Sequence, residues 1–282
     1  MLIFMLIFAA LLVLCPLALS RRLLVRRYML PCQKCSTPAR FAVIADLHSS
    51  LYGEGQAALI EAVRKEAPDA VFLVGDIVDD RRPEEPAWML LQALAAEFPC
   101  YYVSGNHEYR SGCCDAIKQT ISGFGVTVLA GQCATLTLAN GQAFCIAGVD
   151  DPAFWGGYST YGGYPVPQEW SAQLEFCASV AQRTSACSIL LSHRPELYAP
   201  YCSSGFDFIF SGHAHGGQVR IPGIVNGLFA PCQGWFPKYA GGSYALGETT
   251  LIVSRGLCRN HLPRVFNRPE LVLVTIAPKN ML

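Results

Sequence analysis

The sequence has no excess of positive charge, since Lys and Arg number 21 and Asp and Glu also number 21 among 282 residues. Nucleic acid binding depends on basic side chains that neutralise phosphates, so a nucleic acid partner has no electrostatic support here. Internal repeats and low-complexity tracts are also missing from the sequence, which argues against a solenoid or a disordered chain. With 52% hydrophobic residues, the chain has enough apolar side chains for one large folded core.

Charged side chains are missing from the first 19 residues. A helix over this stretch would be about 28 Å long at ~1.5 Å per residue, close to the ~30 Å of a bilayer core. No basic side chain precedes it, whereas a secretory signal peptide begins with positive charge. Four arginines follow it instead, at positions 21, 22, 26 and 27. We therefore predict a transmembrane anchor over 1–20, a basic juxtamembrane linker over 21–39 and a domain over 40–282 on the cytoplasmic side. The alternative is a cleaved signal peptide and export.

The thirteen cysteines are an odd number and are scattered along the chain, which favours a reducing compartment over a disulfide framework. Cys32-x-x-Cys35 is half of a zinc or redox motif, but no second pair follows at zinc-finger spacing. We interpret these two cysteines as part of the linker.

The domain alternates between helical and extended patterns, as α/β proteins do. Helices are predicted over 54–67, from Pro86 to before Pro99, and over 167–182. A hairpin is predicted between residues 126 and 149, with Asn140-Gly141 at its turn. Further strands are predicted over 250–253 and 271–276. About 240 residues of this kind fit a single α/β domain.

Histidine is scarce, with six in the chain, yet five of them directly follow short apolar runs that we predict to be strands. Open α/β sheets place their functional sites at the carboxyl ends of strands. In an extended backbone, residues at i and i+2 face the same side, so Asp46 with His48, and His213 with His215, can each point at one ion. His107 and His193 follow two other strands, and only His261 lies elsewhere. The pattern predicts a metal site.

Five ordered blocks carry a resemblance to a known family. They are Asp46-x-His48, Gly75-Asp76-x-x-Asp79, Gly105-Asn106-His107-Glu108, His193, and Gly212-His213-x-His215. Together they resemble the calcineurin-like metallophosphoesterase family over roughly residues 40 to 256, and within it the membrane-associated bacterial branch of YkuE- and YaeI-type phosphoesterases. The resemblance implies a four-layer α/β/β/α sandwich of two mixed sheets, here behind an N-terminal transmembrane helix.

The resemblance also implies two divalent metal ions. One would be held by Asp46, His48, Asp76 and His215, and the other by Asp76, Asn106, His193 and His213. Asp76 would bridge the two ions, and Asp76, Asn106 and His107 would form the catalytic set. His107 would protonate the leaving oxygen or stabilise charge in the transition state, and Asp79 would orient a ligand. Oxygen and nitrogen donors leave manganese, iron and zinc all open.

The implied reaction is hydrolysis of a phosphodiester or pyrophosphate bond by an enzyme at the cell membrane. Two aromatic-rich loops, over 154–164 and 229–244, have Lys238 as their only charged residue, and they suit an apolar ligand or a membrane interface, or pack on the domain itself. With the anchor, they favour a lipid-linked substrate such as UDP-diacylglucosamine or a phospholipid.

Three alternatives remain open: an exported cell-envelope phosphoesterase, a non-catalytic membrane binding protein on the same fold, and a protein serine/threonine phosphatase. Ser104 disfavours the last, because protein phosphatases typically carry Arg before Gly-Asn-His-Glu. No obligate protein partner is inferred.

Overall fold

The chain folds around fourteen strands, seen in a computed structural model that describes residues 15–156, 165–259 and 262–281. In chain order they are β1 (Leu24–Cys32), β2 (Ala39–Ile44), β3 (Ala70–Val74), β4 (Cys100–Val103), β5 (Thr127–Val128), β6 (Gln132–Thr137), β7 (Ala143–Gly148), β8 (Cys187–Leu191), β9 (Phe208–Ser211), β10 (Phe229–Ala230), β11 (Gly234–Trp235), β12 (Gly242–Leu246), β13 (Thr249–Val253) and β14 (Glu270–Pro278). The predicted hairpin and both predicted C-terminal strands are confirmed.

Twelve of the strands form two mixed six-stranded sheets. The first has the order β1-β14-β2-β3-β4-β5, with β14 antiparallel to β2 and the other pairs parallel. The second has the order β12-β13-β9-β8-β7-β6, parallel in its centre and antiparallel at both edges. Strands β10 and β11 form a separate ribbon. Because the central strands of both sheets are parallel, their carboxyl ends lie at one edge of each sheet.

Within the part of the chain that the structure describes, six α-helices connect the strands: α1 (Ala57–Glu66), α2 (Glu85–Ala95), α3 (Asn106–Arg110), α4 (Cys114–Gly123), α5 (Gln168–Arg183) and α6 (Tyr198–Ser204). The three helices that the sequence predicts are present, with shifted ends. The first begins at Ala57 rather than near residue 54, because Gly55 has φ 56° and interrupts the preceding 3-10 turn.

Three apolar clusters separate the layers. Between the sheets, Phe41 stacks on Phe72 at 5.0 Å between ring centroids, and Phe72 stacks on Phe210 of the second sheet at 5.7 Å. A second cluster joins the outer face of the first sheet to α1, α2 and α4, and a third joins the second sheet to α5 and α6. Each large apolar side chain buried in this way contributes about 1.5–3 kcal/mol. The layers therefore run helix, sheet, sheet, helix, as predicted.

Residues 24–32 differ from the predicted linker over 21–39, because they form β1 and pair with β14 from Leu24↔Glu270 to Cys32↔Pro278. Val25 packs against the apolar layer under the helices, and Tyr28 packs against the core between the sheets. Arg26 forms an ion pair with the buried Glu270 at 2.9 Å. The arginines hide this alternating strand pattern in the sequence, so the folded domain begins before residue 40.

The predicted anchor over 1–20 falls mostly on residues 1–14, which lie outside the described residues. Across the described ranges, none of the helices combines the length and apolar character that a membrane crossing requires. Residues 15–18 are helical, and the carbonyl of Ala18 accepts a hydrogen bond from the backbone N–H of Phe266 at 2.7 Å. The N-terminal segment thus joins the domain beside Phe266.

Candidate metal centre

The loops that follow β2, β3, β4, β8 and β9 bring the predicted ligands together at one edge of the sandwich. Asp76 lies at the centre, with its Oδ2 atom 3.2 Å from His193 Nε2 and 3.6 Å from His48 Nε2. Asp46 Oδ1 lies 3.8 Å from both His193 Nε2 and His215 Nε2. A ring nitrogen of His213 lies within 4.8 Å of the nearest donor atoms of Asp76 and His193.

Asn106 completes the set of seven. It is the first residue of α3 and directly follows Gly105, whose backbone approaches the Asp76 carboxylate. The structure thus brings all seven residues of the predicted ligand set to one place.

The ligand loops are not extended, as the i, i+2 spacing led us to expect. Five ligand residues have left-handed backbones: Asp46 (φ 50°), His48 (φ 47°), Asp76 (φ 52°), His213 (φ 64°) and His215 (φ 47°). Such conformations cost of order 1–3 kcal/mol each and occur where the surroundings hold them in place. Here the backbone N–H of His48 donates to Asp76 O at 2.9 Å, and that of His213 donates to Asp46 Oδ1 at 2.9 Å. Sharp turns held by hydrogen bonds therefore aim the ligands.

Glu108, to which the sequence assigned no role, fixes two of these loops to one another. Its buried carboxylate accepts hydrogen bonds from the backbone N–H groups of Asp76, Ile77 and Val78 at 2.7–3.0 Å, and from Gly105 at 2.9 Å. Four donors satisfy a carboxylate that burial would otherwise make costly. Glu108, the last residue of the Gly-Asn-His-Glu block, therefore determines the position of Asp76.

Two glycines let the loops approach closely. A Cβ on Gly105 would lie 2.3 Å from Asp76 Oδ1, and one on Gly75 would lie 2.5 Å from His193 Nδ1. Real Cβ atoms do not approach other atoms so closely, and Gly75 also has φ 75°. Both positions therefore require glycine for steric reasons.

Several buried donor and acceptor atoms in this centre lack a hydrogen-bond partner within the part of the chain that the structure describes. They are His48 Nε2, Asp76 Oδ2, Asn106 Oδ1, His193 Nε2, His213 Nδ1 and His215 Nδ1. Buried polar atoms are almost always paired, and each exception needs an explanation. Imidazole nitrogens with carboxylate and amide oxygens are ligands for divalent transition metals. These residues therefore fit a metal centre.

The charge distribution fits the same conclusion. Burial raises the pKa of the Asp46 carboxyl, whereas the positive charge of His193 outweighs burial at Asp76 and holds the pKa of that carboxyl well below its usual range. Burial opposes a proton on His193, but Asp76 and Asp46 raise the pKa of its imidazole to about 10. The two carboxylates thus favour positive charge beside His193, which a divalent cation would supply on binding.

Burial lowers the pKa of both His213 and His215, with further contributions from Arg194 and His48 respectively. These two rings are therefore neutral, which is the form that binds metals.

Carboxylates outside the ligand set hold two of the histidines. Asp79 Oδ2 lies 2.9 Å from His48 Nδ1, so the other ring nitrogen of His48 faces Asp76. Asp80 Oδ1 lies 2.6 Å from His107 Nδ1, and Arg110 contacts the other nitrogen of that ring. Sequence reasoning proposed the Asp79 position but missed Asp80. The only indication of Asp80 in the sequence is that it directly follows Asp79, shortly after Gly75-Asp76.

Arg194 is a second residue that the sequence did not single out. Its guanidinium is buried and binds Asp151 through two hydrogen bonds, of 2.6 and 2.9 Å, while its Nη1 lies 2.9 Å from His213 Nε2. The guanidinium donates to Nε2, and the Nδ1 atom of the same ring has no partner among the described residues. The only indication of its role in the sequence is that Arg194 directly follows the predicted ligand His193.

Cys258 is a third addition to the site. Its sulfur lies within 4.8 Å of ring nitrogens of His48 and His215, and its side chain is buried. The ligand set that the family resemblance implies contains no cysteine. The structure places one beside the oxygen and nitrogen donors.

The chain belongs to the calcineurin-like phosphoesterase family, whose characteristic sequence pattern matches residues 39–217. Members of this family use divalent metals, and the centre described above supplies the ligands. The chain is accordingly a metal-dependent hydrolase of phosphoesters.

Two bacterial relatives match most of its length. The metallophosphoesterase YkuE of Bacillus subtilis is 28% identical over 242 residues, which cover 84% of this chain and 78% of YkuE. Phosphodiesterase YaeI of Escherichia coli is 28% identical over 251 residues, which cover 86% of this chain and 83% of YaeI. These matches confirm the predicted resemblance to YkuE- and YaeI-type phosphoesterases.

Solved structures show the same fold at low sequence identity. TT1561 of Thermus thermophilus superposes with a TM-score of 0.52 at 10% identity, covering 78% of this chain and 91% of that one. The NAD nucleotidase of Haemophilus influenzae gives a TM-score of 0.50 at 16% identity, covering 78% of this chain but only 45% of the nucleotidase. The likeness shows the fold alone.

Proposed function

We propose that the chain is a membrane-anchored, dinuclear-metal phosphoesterase that hydrolyses a phosphodiester or pyrophosphate bond in a lipid-linked substrate. The observation that carries the hydrolytic part is the group of unpartnered donor atoms around Asp76. Two bound divalent ions would lower the pKa of a water and neutralise phosphate oxygens during the attack. Manganese, iron and zinc remain the candidate metals.

Asp76 is suited to bridge the two ions. Its Oδ1 atom accepts a hydrogen bond from the backbone N–H of His107 at 2.7 Å, whereas its Oδ2 atom has no partner among the described residues. In this assignment one ion takes Asp46, His48, Asp76 and His215, and the other takes Asp76, Asn106, His193 and His213. Six of these seven ligands, all except Asp46, have a buried polar atom without a partner among the described residues.

In this proposal His107 gives a proton to the leaving oxygen once Arg110 has moved away from its Nε2 atom. Its side chain is 20% exposed and therefore reachable by a substrate, while its Nε2 atom lies 3.9 Å from Asp76 Oδ2. Burial alone would lower the pKa of this imidazole, but Asp76 and Asp79 outweigh burial and raise it. A raised pKa favours the protonated ring that a general acid requires.

The proposed membrane side follows from the contacts of the N-terminal segment. Phe266 binds the Ala18 carbonyl, and the next residue, Asn267, donates to the carbonyl of His215 at 2.7 Å. The end of the predicted anchor is therefore connected to a metal ligand through two adjacent residues. An anchor there would place the metal centre near the bilayer surface.

Exposed apolar side chains support a lipid-facing surface near this point. Ile224 is 80% exposed in a loop that follows Val219, and Val219 forms a β-bridge with Val265. Trp235 and Phe236, in the second aromatic loop, are 68% and 66% exposed. These two aromatic side chains are thus largely exposed, although the Trp235 ring meets the Phe229 ring at 5.5 Å between centroids. Their exposure favours contact with a lipid or with the membrane interface. Residues 157–164 of the first aromatic loop lie outside the described residues.

The substrate proposal is tested with the double variant Trp235→Ala with Phe236→Ala. Each buried methylene of a lipid contributes ~0.8 kcal/mol, so loss of an apolar contact should lower hydrolysis of a lipid-linked pyrophosphate or diester at least about tenfold. Hydrolysis of bis-p-nitrophenyl phosphate should change little, because the metal ligands and His107 remain.

Phe176→Ala is the matched control, since Phe176 is 56% exposed on α5. It should leave both rates unchanged. Equal losses on both substrates in the double variant would mean that the two aromatics stabilise the fold instead. A wild-type enzyme that does not prefer the lipid-linked substrate would refute the lipid proposal, and the metal-dependent hydrolysis would still stand.

The proposed location is the cell membrane, with a single span and the domain on the cytoplasmic side. Cys113 and Cys202 are exposed and provide reporters. A maleimide that cannot cross membranes should label them in lysed cells but not in intact cells. Efficient labelling of intact cells would instead support the exported alternative.

A further inference from the structure

Three cysteines from distant parts of the chain meet at the edge of the sandwich opposite the metal centre. Cys32 ends β1, Cys35 follows in the next turn, and Cys187 begins β8. All three are buried, and their sulfur atoms lie within 4.8 Å of one another. The reading of Cys32-x-x-Cys35 as part of a linker is therefore wrong, because Cys187 completes a three-sulfur cluster.

The size of the cluster matches a bound ion. An ion with Zn–S distances of ~2.3 Å and near-tetrahedral angles holds its sulfurs about 3.8 Å apart. The present separations of up to 4.8 Å need only small side-chain movements to reach that value. Two of the ligands come from a Cys-x-x-Cys segment at a turn, which is the spacing that structural zinc sites use.

The surroundings of Cys32 favour its anionic form. The neighbouring thiols of Cys187 and Cys35 and the backbone N–H groups of Lys34 and Cys35 outweigh burial and lower the pKa of the Cys32 thiol. The thiolate is the form that binds metal. A second and a third buried thiolate would repel the first, and a cation among them removes that penalty.

The surroundings leave room for a fourth ligand. A surface cleft of about 300 Å³ opens over Cys32 and is lined by Lys34 and Asp207. The ammonium of Lys34 forms an ion pair with Asp207 at 2.8 Å, so a positive charge lies beside the cluster. Water from the cleft can complete a tetrahedral shell around an ion held by three sulfurs.

We propose that Cys32, Cys35 and Cys187 bind a thiophilic divalent ion of the Zn²⁺ class. The ion links β1 of the first sheet to β8 of the second. Cys187 stands six residues before the ligand His193 on a strand that rises ~3.3 Å per residue, so this ion lies about 20 Å from the catalytic centre. The proposal does not depend on the proposed function.

The test loads full-length protein with Co²⁺ in place of Zn²⁺. Thiolate ligands give a sulfur-to-cobalt charge-transfer band in the near ultraviolet. The wild-type protein should show this band, and Cys187→Ser should lose it together with one Zn²⁺ equivalent per chain by mass spectrometry. Cys35→Ser should show the same losses, which guards against a folding defect in one variant.

Two control variants separate this site from others. Cys100→Ser changes a buried cysteine at the start of β4 and should keep both the band and the metal. Cys258→Ser should also keep the band, although Cys258 lies near His48. A band that survives in Cys187→Ser and disappears in Cys258→Ser would refute the proposal. So would a Cys32–Cys35 disulfide in protein prepared without oxygen.

Discussion

Strand β8 begins at the thiol of Cys187 and is followed, at its other end, by the imidazole of His193. The two edges of the sandwich differ in the same respect, because one carries sulfur atoms and the other carries nitrogen and oxygen donors. At the carboxyl edge, five of the seven nitrogen and oxygen ligands have left-handed backbone, in the three loops that follow β2, β3 and β9. At the opposite edge, three sulfurs stand on a strand end, a turn and a strand start. Across the described residues, none of those three cysteines has a positive φ.

The comparison shows where this fold carries conformational strain. The carboxyl edge must hold charged groups close together, so it needs buried hydrogen bonds such as those of Glu108 to keep strained loops in place. The opposite edge needs only ordinary strand ends, because sulfur ligands are small and the core already brings them together. Changes at the carboxyl edge should therefore have the larger functional effects.

The largest effect is expected from Asp76→Asn. The change keeps the shape of the side chain but removes the charge between the two proposed ions, and metal-ion stabilisation amounts to several kcal/mol. At ~1.4 kcal/mol per tenfold change, the turnover number should fall by about 10³-fold or more. Diester hydrolysis and bound metal are measured together, with Asp115→Asn on the exposed face of α4 as the control. An active Asp76→Asn enzyme would remove the bridging role.

His107→Ala should lower the rate by about 10²-fold or more, the usual contribution of a positioned general acid. Metal content should stay at the wild-type value, because His107 is not among the proposed ligands. Rate and metal content are again measured on the same sample. Loss of metal in this variant would show that His107 is a ligand and not the acid.

Gly105→Ala should reduce the rate by about 10²-fold, since displacement of a catalytic group by roughly 1 Å has this effect. The new Cβ would lie 2.3 Å from Asp76 Oδ1 and would push the carboxylate away. Gly123→Ala is the matched control, because a Cβ there meets nothing within 4 Å. Steady-state kinetics of both variants give the comparison. Similar rates for the two would mean that Asp76 tolerates movement.

Glu108→Gln should change stability more than chemistry. The amide presents N–H groups to backbone N–H donors, so some of the four hydrogen bonds are lost, and the free energy of unfolding should fall by about 2–4 kcal/mol. Urea unfolding measures the change, with Glu61→Gln as the control because the side chain of Glu61 is 74% exposed. An unchanged midpoint would contradict the role of Glu108 as the residue that joins the two loops.

Much of the carboxyl edge could be predicted from the sequence, because short apolar runs such as 70–74 end directly at Gly75 and Asp76. The order of such blocks identifies both the fold and the ligand set. Local pattern could not show that Asp46 and His213 adopt left-handed backbones, since hydrogen bonds between different loops impose them. Nor could it show that Arg194 binds Asp151, because 42 residues separate the two along the chain.

The opposite edge was harder to predict. Cys35 and Cys187 are separated by most of the domain, and only the packing of one sheet on the other brings them together. The arginines at positions 26 and 27 concealed β1, because charged side chains on an edge strand resemble a juxtamembrane segment. In both cases, contacts between distant parts of the chain determine the structure, and the local sequence pattern does not show them.

The central claim is that two ions at the carboxyl edge perform the hydrolysis, and a Mn²⁺ titration tests it most directly. Chelated full-length protein is titrated with Mn²⁺ while hydrolysis of bis-p-nitrophenyl phosphate is followed. Mn²⁺ prefers oxygen and nitrogen ligands, so the sulfur cluster should not interfere. The account predicts no activity without metal and a rate that stops rising at two equivalents per chain. Saturation at one equivalent, or hydrolysis that persists after chelation, would contradict it.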